Sequence, residues 1–275
     1  MKSLRALVCL LTVVGWTLLL LPVQIGALLF QLPLARTLPG FYHRGVCRIL
    51  GLRIETIGKR HDKSATLFTV NHSSWLDIIV LSSVIPGSFV AKQEVASWPG
   101  IGLLAKLQRS VFIVRKAHHS IRHRNEMIAR LELGDNLILF PEGTSSNGHQ
   151  VLPFKSSFLG VAERPINGAP LTVQPVSVAY TKLGNLPLGR HMRPFFAWYG
   201  DMQLGIHLWK AVGLGPVTVV VQFHPIVTIG SADTRKTLAK HCEGLVKKGL
   251  AEALTGRKHS FSHKQHQLVD RQASA

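Results

Sequence analysis

Thirty consecutive residues without a formal charge, from Ala6 to Ala35, constrain this chain more than any other feature. A helix needs roughly 20 such residues to cross a bilayer. A cleaved signal peptide is the competing interpretation, but its apolar region is only about 7–15 residues long. We therefore predict a membrane anchor. Two forms stay open, one tilted spanning helix or two shorter helices hinged near Pro22, and basic residues on both flanks favour the second.

Charge and cysteine content narrow the possible partners. The 275 residues suffice for one catalytic domain besides the anchor. The net charge of +18 predicts a polyanionic partner, and the apolar run indicates an anionic membrane surface rather than nucleic acid. Three cysteines without a CxxC pair predict neither a disulfide framework nor a metal site, which fits a reducing cytosolic face.

Composition divides the chain into three parts. We predict a membrane anchor over residues 1–48, a catalytic domain over 49–255 and a disordered polar tail over 256–275. After residue 50, short β-rich runs alternate with helical stretches, as in an α/β domain. The predicted strands are Ala65–Val70, Phe89–Ala91, Val111–Val114, Asn136–Phe140, Leu171–Ala179 and Pro216–Phe223. The predicted helices follow Ser74, Gly100 and Ser120 and cover Ala232–Leu254.

The junction between the first predicted strand and helix carries a histidine and an aspartate. Five positions on a helix turn about 500°, so the side chains of His72 and Asp77 would point apart if both residues were helical. With His72 in the loop, Asp77 can accept a hydrogen bond from one ring nitrogen and leave the other as a base. An alternative is that Ser74 and Asp77 only form a capping box.

Other polar residues follow neighbouring strands. Glu142, Gly143 and Thr144 come directly after one strand, Arg115 ends another, and Lys92 ends a third. Ligands in open α/β sheets bind at the carboxyl ends of strands. The guanidinium of Arg115 suits bidentate contact with phosphate or carboxylate. We therefore predict a ligand site here, although a simple turn and a solvated arginine would leave the same pattern.

In this order the motifs resemble the 1-acylglycerol-3-phosphate acyltransferases and related glycerolipid acyltransferases. The resemblance covers roughly residues 65 to 180 and implies a mixed sheet flanked by helices, preceded by the membrane helix or hairpin. The motifs that carry it are Asn71-His72-Ser73-Ser74-Trp75-Leu76-Asp77, Phe112-Ile113-Val114-Arg115, Phe140-Pro141-Glu142-Gly143-Thr144 and Val173-Gln174-Pro175-Val176.

The resemblance also implies an activity. His72 and Asp77 would be catalytic, and Arg115, Glu142, Gly143, Thr144 and Lys92 would bind substrate. The reaction would move a fatty acyl group from acyl carrier protein or coenzyme A, as co-substrate and without a further cofactor, to a lysolipid hydroxyl. The expected location is the cytoplasmic face of a bacterial inner membrane.

One departure from the family pattern bears on the acceptor. Many members that use a phosphate acceptor continue with arginine after the Glu-Gly-Thr sequence, whereas this chain has Ser145 and Ser146. We expect lysophosphatidic acid as acceptor, with lyso-ornithine lipid as the alternative because one bidentate contact is missing. A non-enzymatic, membrane-tethered basic protein would explain the charge but not the polar residues at strand ends.

Overall fold

Two antiparallel helices form the N-terminal part of the protein. The computed structural model describes residues 2–113, 120–230 and 234–256. Helix α1 spans Lys2–Leu29 and α2 spans Leu34–Leu50. Three contacts link successive turns of the pair: Cys9 Sγ to the Ile49 carbonyl, Thr17 to the Tyr42 hydroxyl, and Gln24 to the Ala35 carbonyl.

The predicted hinge near Pro22 is wrong. Pro22 lies inside α1, and the chain reverses only between residues 30 and 33. At that turn Gln31 adopts a left-handed φ of 52° and Pro33 precedes α2. Packing of α1 against α2 on both sides of Pro22 keeps the helix continuous, because the missing hydrogen bond costs less than separating the two helices.

The rest of the described chain forms one mixed sheet with helices on both faces, which confirms the predicted fold class. The strand order is β1-β8-β6-β2-β5-β3-β4, with β7 paired to β6. All pairs are parallel except those that β6 makes with β8 and β7. The strands are β1 Leu52–Ile57, β2 Thr66–Val70, β3 Ser88–Lys92, β4 Val111–Ile113, β5 Leu137–Leu139, β6 Thr172–Leu183, β7 Leu186–Pro187 and β8 Val217–Phe223.

The remaining helices cover the two faces of this sheet. One hydrophobic core joins the sheet to α1, α2, α3 and α6, and a second core joins its other face to α5 and α7. Alternate residues of a strand serve the two cores, as Leu67 and Phe68 of β2 do. The helices are α3 Leu76–Val84, α4 Ile101–Leu107, α5 Ser120–Glu132, α6 Leu204–Leu214 and α7 Arg235–Thr255, with short 3-10 turns at Gln93–Ser97, Ser156–Glu163 and Arg193–Phe195.

The sequence analysis missed several elements, among them β1, α6, the two-residue β7 and most of α2. β1 is short, and the alternation of Leu52, Arg53, Ile54 and Glu55 was not recognised. α6 lies in a stretch rich in aromatic residues and begins after Gln203 without a side-chain cap. The predicted elements between residues 65 and 140 are present, and their described ends lie within three residues of those expected.

Parallel pairing places the polar strand ends together. β2, β5, β3 and β4 run in the same direction, so their carboxyl ends form one edge of the sheet. His72 follows β2, Glu142 follows β5, and Lys92 ends β3 at this edge. Arg115, two residues after β4, and residues 257–275 of the predicted tail lie outside the described residues.

Two glycines of α7 test how tightly this helix packs on the sheet. A Cβ at Gly249 would overlap the Ser177 hydroxyl and lie 2.6 Å from the buried His224 ring, whereas a Cβ at Gly244 meets nothing within 4 Å. We expect Gly249→Ala to lower the free energy of unfolding by about 1–3 kcal/mol. Gly244→Ala should raise it by about 0.5–1 kcal/mol. Denaturation in detergent measures both, and equal effects would contradict this packing.

Candidate active site

The loop from β2 to α3 is fixed by hydrogen bonds to three other segments. The Asn71 side chain donates to the Val178 carbonyl and accepts from the Val178 N–H, at 2.9 and 2.8 Å. The His72 carbonyl accepts from the Ser146 N–H, and the Ser73 carbonyl accepts from the Trp198 N–H. Because its backbone groups are occupied in this way, the loop presents His72 in one orientation.

Asp77 is fully buried and accepts four hydrogen bonds. Its Oδ2 atom lies 2.9 Å from His72 Nδ1 and accepts from the N–H groups of Ser73 and Ser74 at 2.7 and 2.9 Å. Its Oδ1 atom accepts from the Tyr180 hydroxyl at 2.7 Å. Asp77 therefore orders the turn and binds the histidine as well. Its own N–H donates to the Ser74 carbonyl and not to the Ser74 hydroxyl, so Ser74 and Asp77 do not form the capping box of the alternative interpretation. Four donors directed at one carboxylate hold it in one orientation.

The imidazole of His72 is held in one tautomer. The Asp77 carboxylate is an acceptor, so Nδ1 carries the proton and Nε2 keeps a free lone pair. The side chain is 19% exposed, and its ring stacks on Phe140 with centroids 4.1 Å apart. This geometry suits a base that faces a substrate.

Glu142 lies beneath the same loop. Its two carboxylate oxygens accept from the backbone N–H groups of His72 and Leu152, at 2.7 and 2.8 Å. Burial raises the pKa of Glu142 to about 8, and the two N–H donors act in the opposite direction. The residue holds the backbone of His72 from β5. Gly143, with a φ of +71°, turns the chain, and Thr144 after it is exposed.

The other predicted substrate contacts stay predictions. Lys92 is exposed at the end of β3, and Arg115 stays a prediction because it lies outside the described residues. Tyr180 was missed, because 103 residues separate it from Asp77 and nothing near it in the sequence indicates the contact. Asn71 adjoins His72, so it could have been inferred from position alone.

A second group missed from the sequence is basic and borders the catalytic loop. Gly148 approaches Ser73 closely enough that an added Cβ would lie 3.9 Å from the Ser73 Cβ. The next residue is His149, whose pKa is lowered by burial and by nearby positive charge. The basic group consists of His149, Arg190, His191 and Arg193. Its charge suits an anionic group of a substrate.

An apolar cavity of 340 Å³ lies between the N-terminal helices and the sheet. Residues of α1, α2, α3, α4 and α6 line it together with Phe89 and Trp75. It is linked to the loop by stacked rings, since Phe89 packs on Phe140 with centroids 5.9 Å apart and Phe140 packs on His72. The shape and lining suit a hydrocarbon chain whose end reaches His72.

Comparison with known proteins agrees with this arrangement. The sequence model of the acyltransferase family matches residues 52–179. A lyso-ornithine lipid O-acyltransferase of Brucella abortus is 40% identical over 93% of this chain and 97% of its own length. The chain belongs to the acyltransferase family.

Two further relatives carry different substrate names. The lyso-ornithine lipid O-acyltransferase of Rhizobium meliloti is 39% identical to this acyltransferase over 93% of the chain and 89% of its own length. The 1-acyl-sn-glycerol-3-phosphate acyltransferase of Neisseria gonorrhoeae is 30% identical over 74% of the chain and 76% of its own length.

A solved structure supports the fold. The crystal structure of the 1-acyl-sn-glycerophosphate acyltransferase from Thermotoga maritima superposes with a TM-score of 0.60. It covers 94% of this acyltransferase and all of that chain, at 23% identity. The comparison extends over the N-terminal helices as well as the sheet.

Two substitutions separate the roles of the groups around Asp77. Asp77→Asn removes the charge that stabilises a protonated His72, so we expect kcat to fall by about two to four orders of magnitude. Tyr180→Phe removes one donor to Asp77 and leaves more charge facing the imidazole, so the acid limb of the pH–rate profile should move to higher pH. Initial rates across pH measure both. If Tyr180→Phe lowers the rate equally at every pH and leaves the acid limb in place, Tyr180 acts only on the fold.

Proposed function

We propose that this acyltransferase transfers a fatty acyl group from a thioester to the free hydroxyl of a lysolipid, with lyso-ornithine lipid as the preferred acceptor. The observation that carries the proposal is the His72 Nε2 lone pair, oriented by Asp77 and joined through the stacked ring of Phe140 to Phe89 in the cavity wall. A lipid substrate needs both a base at its hydroxyl and a place for its chain. The thioester is that of acyl carrier protein or coenzyme A.

The reaction needs only one proton relay. Nε2 of His72 accepts the proton of the acceptor hydroxyl while its oxygen forms a bond to the thioester carbonyl carbon. The carbon–sulfur bond then breaks, and the departing thiolate takes the proton from the imidazolium. Asp77 stabilises the imidazolium between these steps. Glu142 acts as a positioning residue, because its oxygens bind backbone N–H groups of the loop.

The choice of acceptor rests on the relatives and on one motif. The Brucella abortus and Rhizobium meliloti proteins are more similar to this chain than the Neisseria gonorrhoeae protein. Ser145 and Ser146 replace the arginine of many phosphate-acceptor members. Both observations favour lyso-ornithine lipid over lysophosphatidic acid, which reverses the preference drawn from the sequence alone. Lysophosphatidic acid stays the second candidate because of the Neisseria gonorrhoeae relative.

The basic group offers a place for the acceptor headgroup. An ornithine headgroup carries a carboxylate, and a lysophosphatidic acid headgroup carries a phosphate. Either anion would be attracted to Arg190 and Arg193, which lie on the chain segment that contacts the catalytic loop through Trp198. Arg115 and Lys92 are additional candidates at the strand ends.

The assay that tests this function offers the two acceptors side by side with an acyl thioester. Purified protein in detergent should acylate lyso-ornithine lipid with a kcat/KM about tenfold or more above that for lysophosphatidic acid, the gain of roughly one charge-assisted contact. His72→Ala should abolish both reactions and leave folding intact. Transfer to neither lipid, or a His72→Ala variant with a tenth of the wild-type rate, would refute the proposal.

The same proposal includes how the protein meets the membrane. Helix α1 is the one span of sufficient length and hydropathy among residues 2–113, 120–230 and 234–256. Arg5 near its start donates to the carbonyls of Leu50 and Val212, and Gln24 near its end donates to that of Leu107. These contacts are about 30 Å apart along the helix. We propose that α1 lies along the domain and enters one leaflet, on the cytoplasmic face of the inner membrane.

Exposed leucines of α1 test this arrangement. Leu11 and Leu18 are 62% and 61% exposed. Replacing both by glutamate should move most of the protein from the membrane to the soluble fraction, because a charge is costly among lipid chains. The control is Leu186→Glu in β7, a leucine that is 73% exposed and lies outside the N-terminal helices. If the double glutamate variant and the Leu186→Glu control sediment with membranes to the same extent, α1 does not make the membrane contact.

A further inference from the structure

The apolar cavity contains two polar atoms without partners. Gln24 and His43 both line it and are 7% and 8% exposed. Within the described part of the chain, Gln24 Oε1 and His43 Nδ1 are buried and make no hydrogen bond. A buried acceptor without a donor costs stability, so two in one hydrocarbon-lined space indicate that something polar enters it.

The identity of each atom follows from its neighbours. The Gln24 amide nitrogen donates to the carbonyls of Ala35 and Leu107, at 3.2 and 2.7 Å, which uses both of its hydrogens and identifies the other amide atom, without a donor, as the oxygen. The Gln108 amide nitrogen donates to the Ser82 hydroxyl. Gln108 therefore turns its oxygen toward His43.

The Nδ1 atom of His43 is consequently a hydrogen-bond acceptor. Its Nε2 atom lies 3.3 Å from Gln108 Oε1, which only accepts, so Nε2 carries the proton and Nδ1 has a free lone pair. Burial lowers the pKa of His43 to about 4, so the ring is neutral near pH 7. Gln24 Oε1 and His43 Nδ1 thus both need a donor. Their side chains lie near each other in the cavity wall, because they are hydrogen-bonded to the adjoining residues Leu107 and Gln108.

We propose that Gln24 and His43 recognise a hydroxyl carried by the fatty acyl chain itself, at a position well away from its carboxyl end. A hydroxyl is the smallest chain substituent that can donate to an acceptor while its neighbours stay apolar. This inference rests on the proposed acyl transfer, because it takes the cavity as the place of a substrate chain.

The position on the chain follows from the rings between His72 and the cavity. The reacting carbonyl must lie at His72, and Phe140 and Phe89 follow it with centroid separations of 4.1 and 5.9 Å. Ser88, next to Phe89, donates to the Gln108 carbonyl. The two unpaired acceptor atoms of Gln24 and His43 are therefore separated from His72 by the rings of Phe140 and Phe89. A hydroxyl on the second or third carbon stays too close to His72 to reach them.

The experiment compares chains that differ only in their hydroxyl. Purified full-length protein receives lyso-ornithine lipid and a palmitoyl, a β-hydroxypalmitoyl or a mid-chain hydroxypalmitoyl thioester. The mid-chain hydroxyl should raise kcat/KM about fivefold to tenfold over palmitoyl, the effect of one buried hydrogen bond, and the β-hydroxyl should give no gain. A second arm places the mid-chain hydroxyl on the acceptor's own chain, which tells whether the donor chain or the acceptor chain occupies the cavity.

Substitutions test whether Gln24 and His43 cause the preference for a hydroxylated chain. Gln24→Met and His43→Phe keep an apolar fill and should each reduce the ratio of hydroxylated to plain substrate toward one, while the palmitoyl rate changes less. Leu20→Met, in the same cavity wall, should leave the ratio unchanged. The wild-type comparison stands even where a variant fails to fold.

The outcomes separate this inference from the proposed function. If palmitoyl is transferred and mid-chain hydroxyl groups on either chain give no gain, the hydroxyl recognition is refuted and the acyl transfer stands. If no thioester is used with any acceptor, the proposed function fails first.

Discussion

The carboxylate of Asp77 is the interaction on which the site depends. Four donors converge on this fully buried group: one ring nitrogen, two backbone N–H groups and the Tyr180 hydroxyl. Removing the charge would leave these donors without their common acceptor inside the protein, which costs more than losing any one hydrogen bond. The same carboxylate therefore shapes the turn and fixes the histidine tautomer. The geometry of the site and the local fold therefore depend on the same side chain.

The sheet provides the frame for that carboxylate. β2 delivers the loop, β5 delivers Glu142 beneath it, and β6 brings Tyr180 from the other side. Each contact uses a strand that pairs directly with β2 or ends beside it. An error in register would displace these side chains to the opposite face, because side chains alternate along a strand. The hydrogen bonds of Asn71 to the backbone of Val178 oppose such a shift.

The sequence was informative wherever a structural feature is local. The strand-to-helix junction with His72 and Asp77 could be predicted because both residues lie within one turn of chain, and the alternation of apolar runs predicted the α/β class. Tyr180 could not, since only tertiary pairing brings β6 to the loop. The expected hinge at Pro22 was wrong because a local helix breaker was weighed without the packing of α1 on α2. The apolar cavity could not be predicted from the sequence for the same reason, because residues of five separate helices line it.

His72 is presented by the loop from β2 to α3, whereas the N-terminal helices line the cavity. This separation has a consequence for how such proteins diverge. His72, Glu142 and Tyr180 are held by β2, β5 and β6, whereas α1 and α2 form one part of the cavity wall. Between these two helices, Gly45 lets Trp16 approach so closely that a Cβ on Gly45 would lie 2.5 Å from the indole nitrogen. Substitutions in the two helices can therefore reshape the space for a lipid tail without touching the base. A lineage could adapt to a new membrane composition through its anchor alone, with the chemistry inherited unchanged.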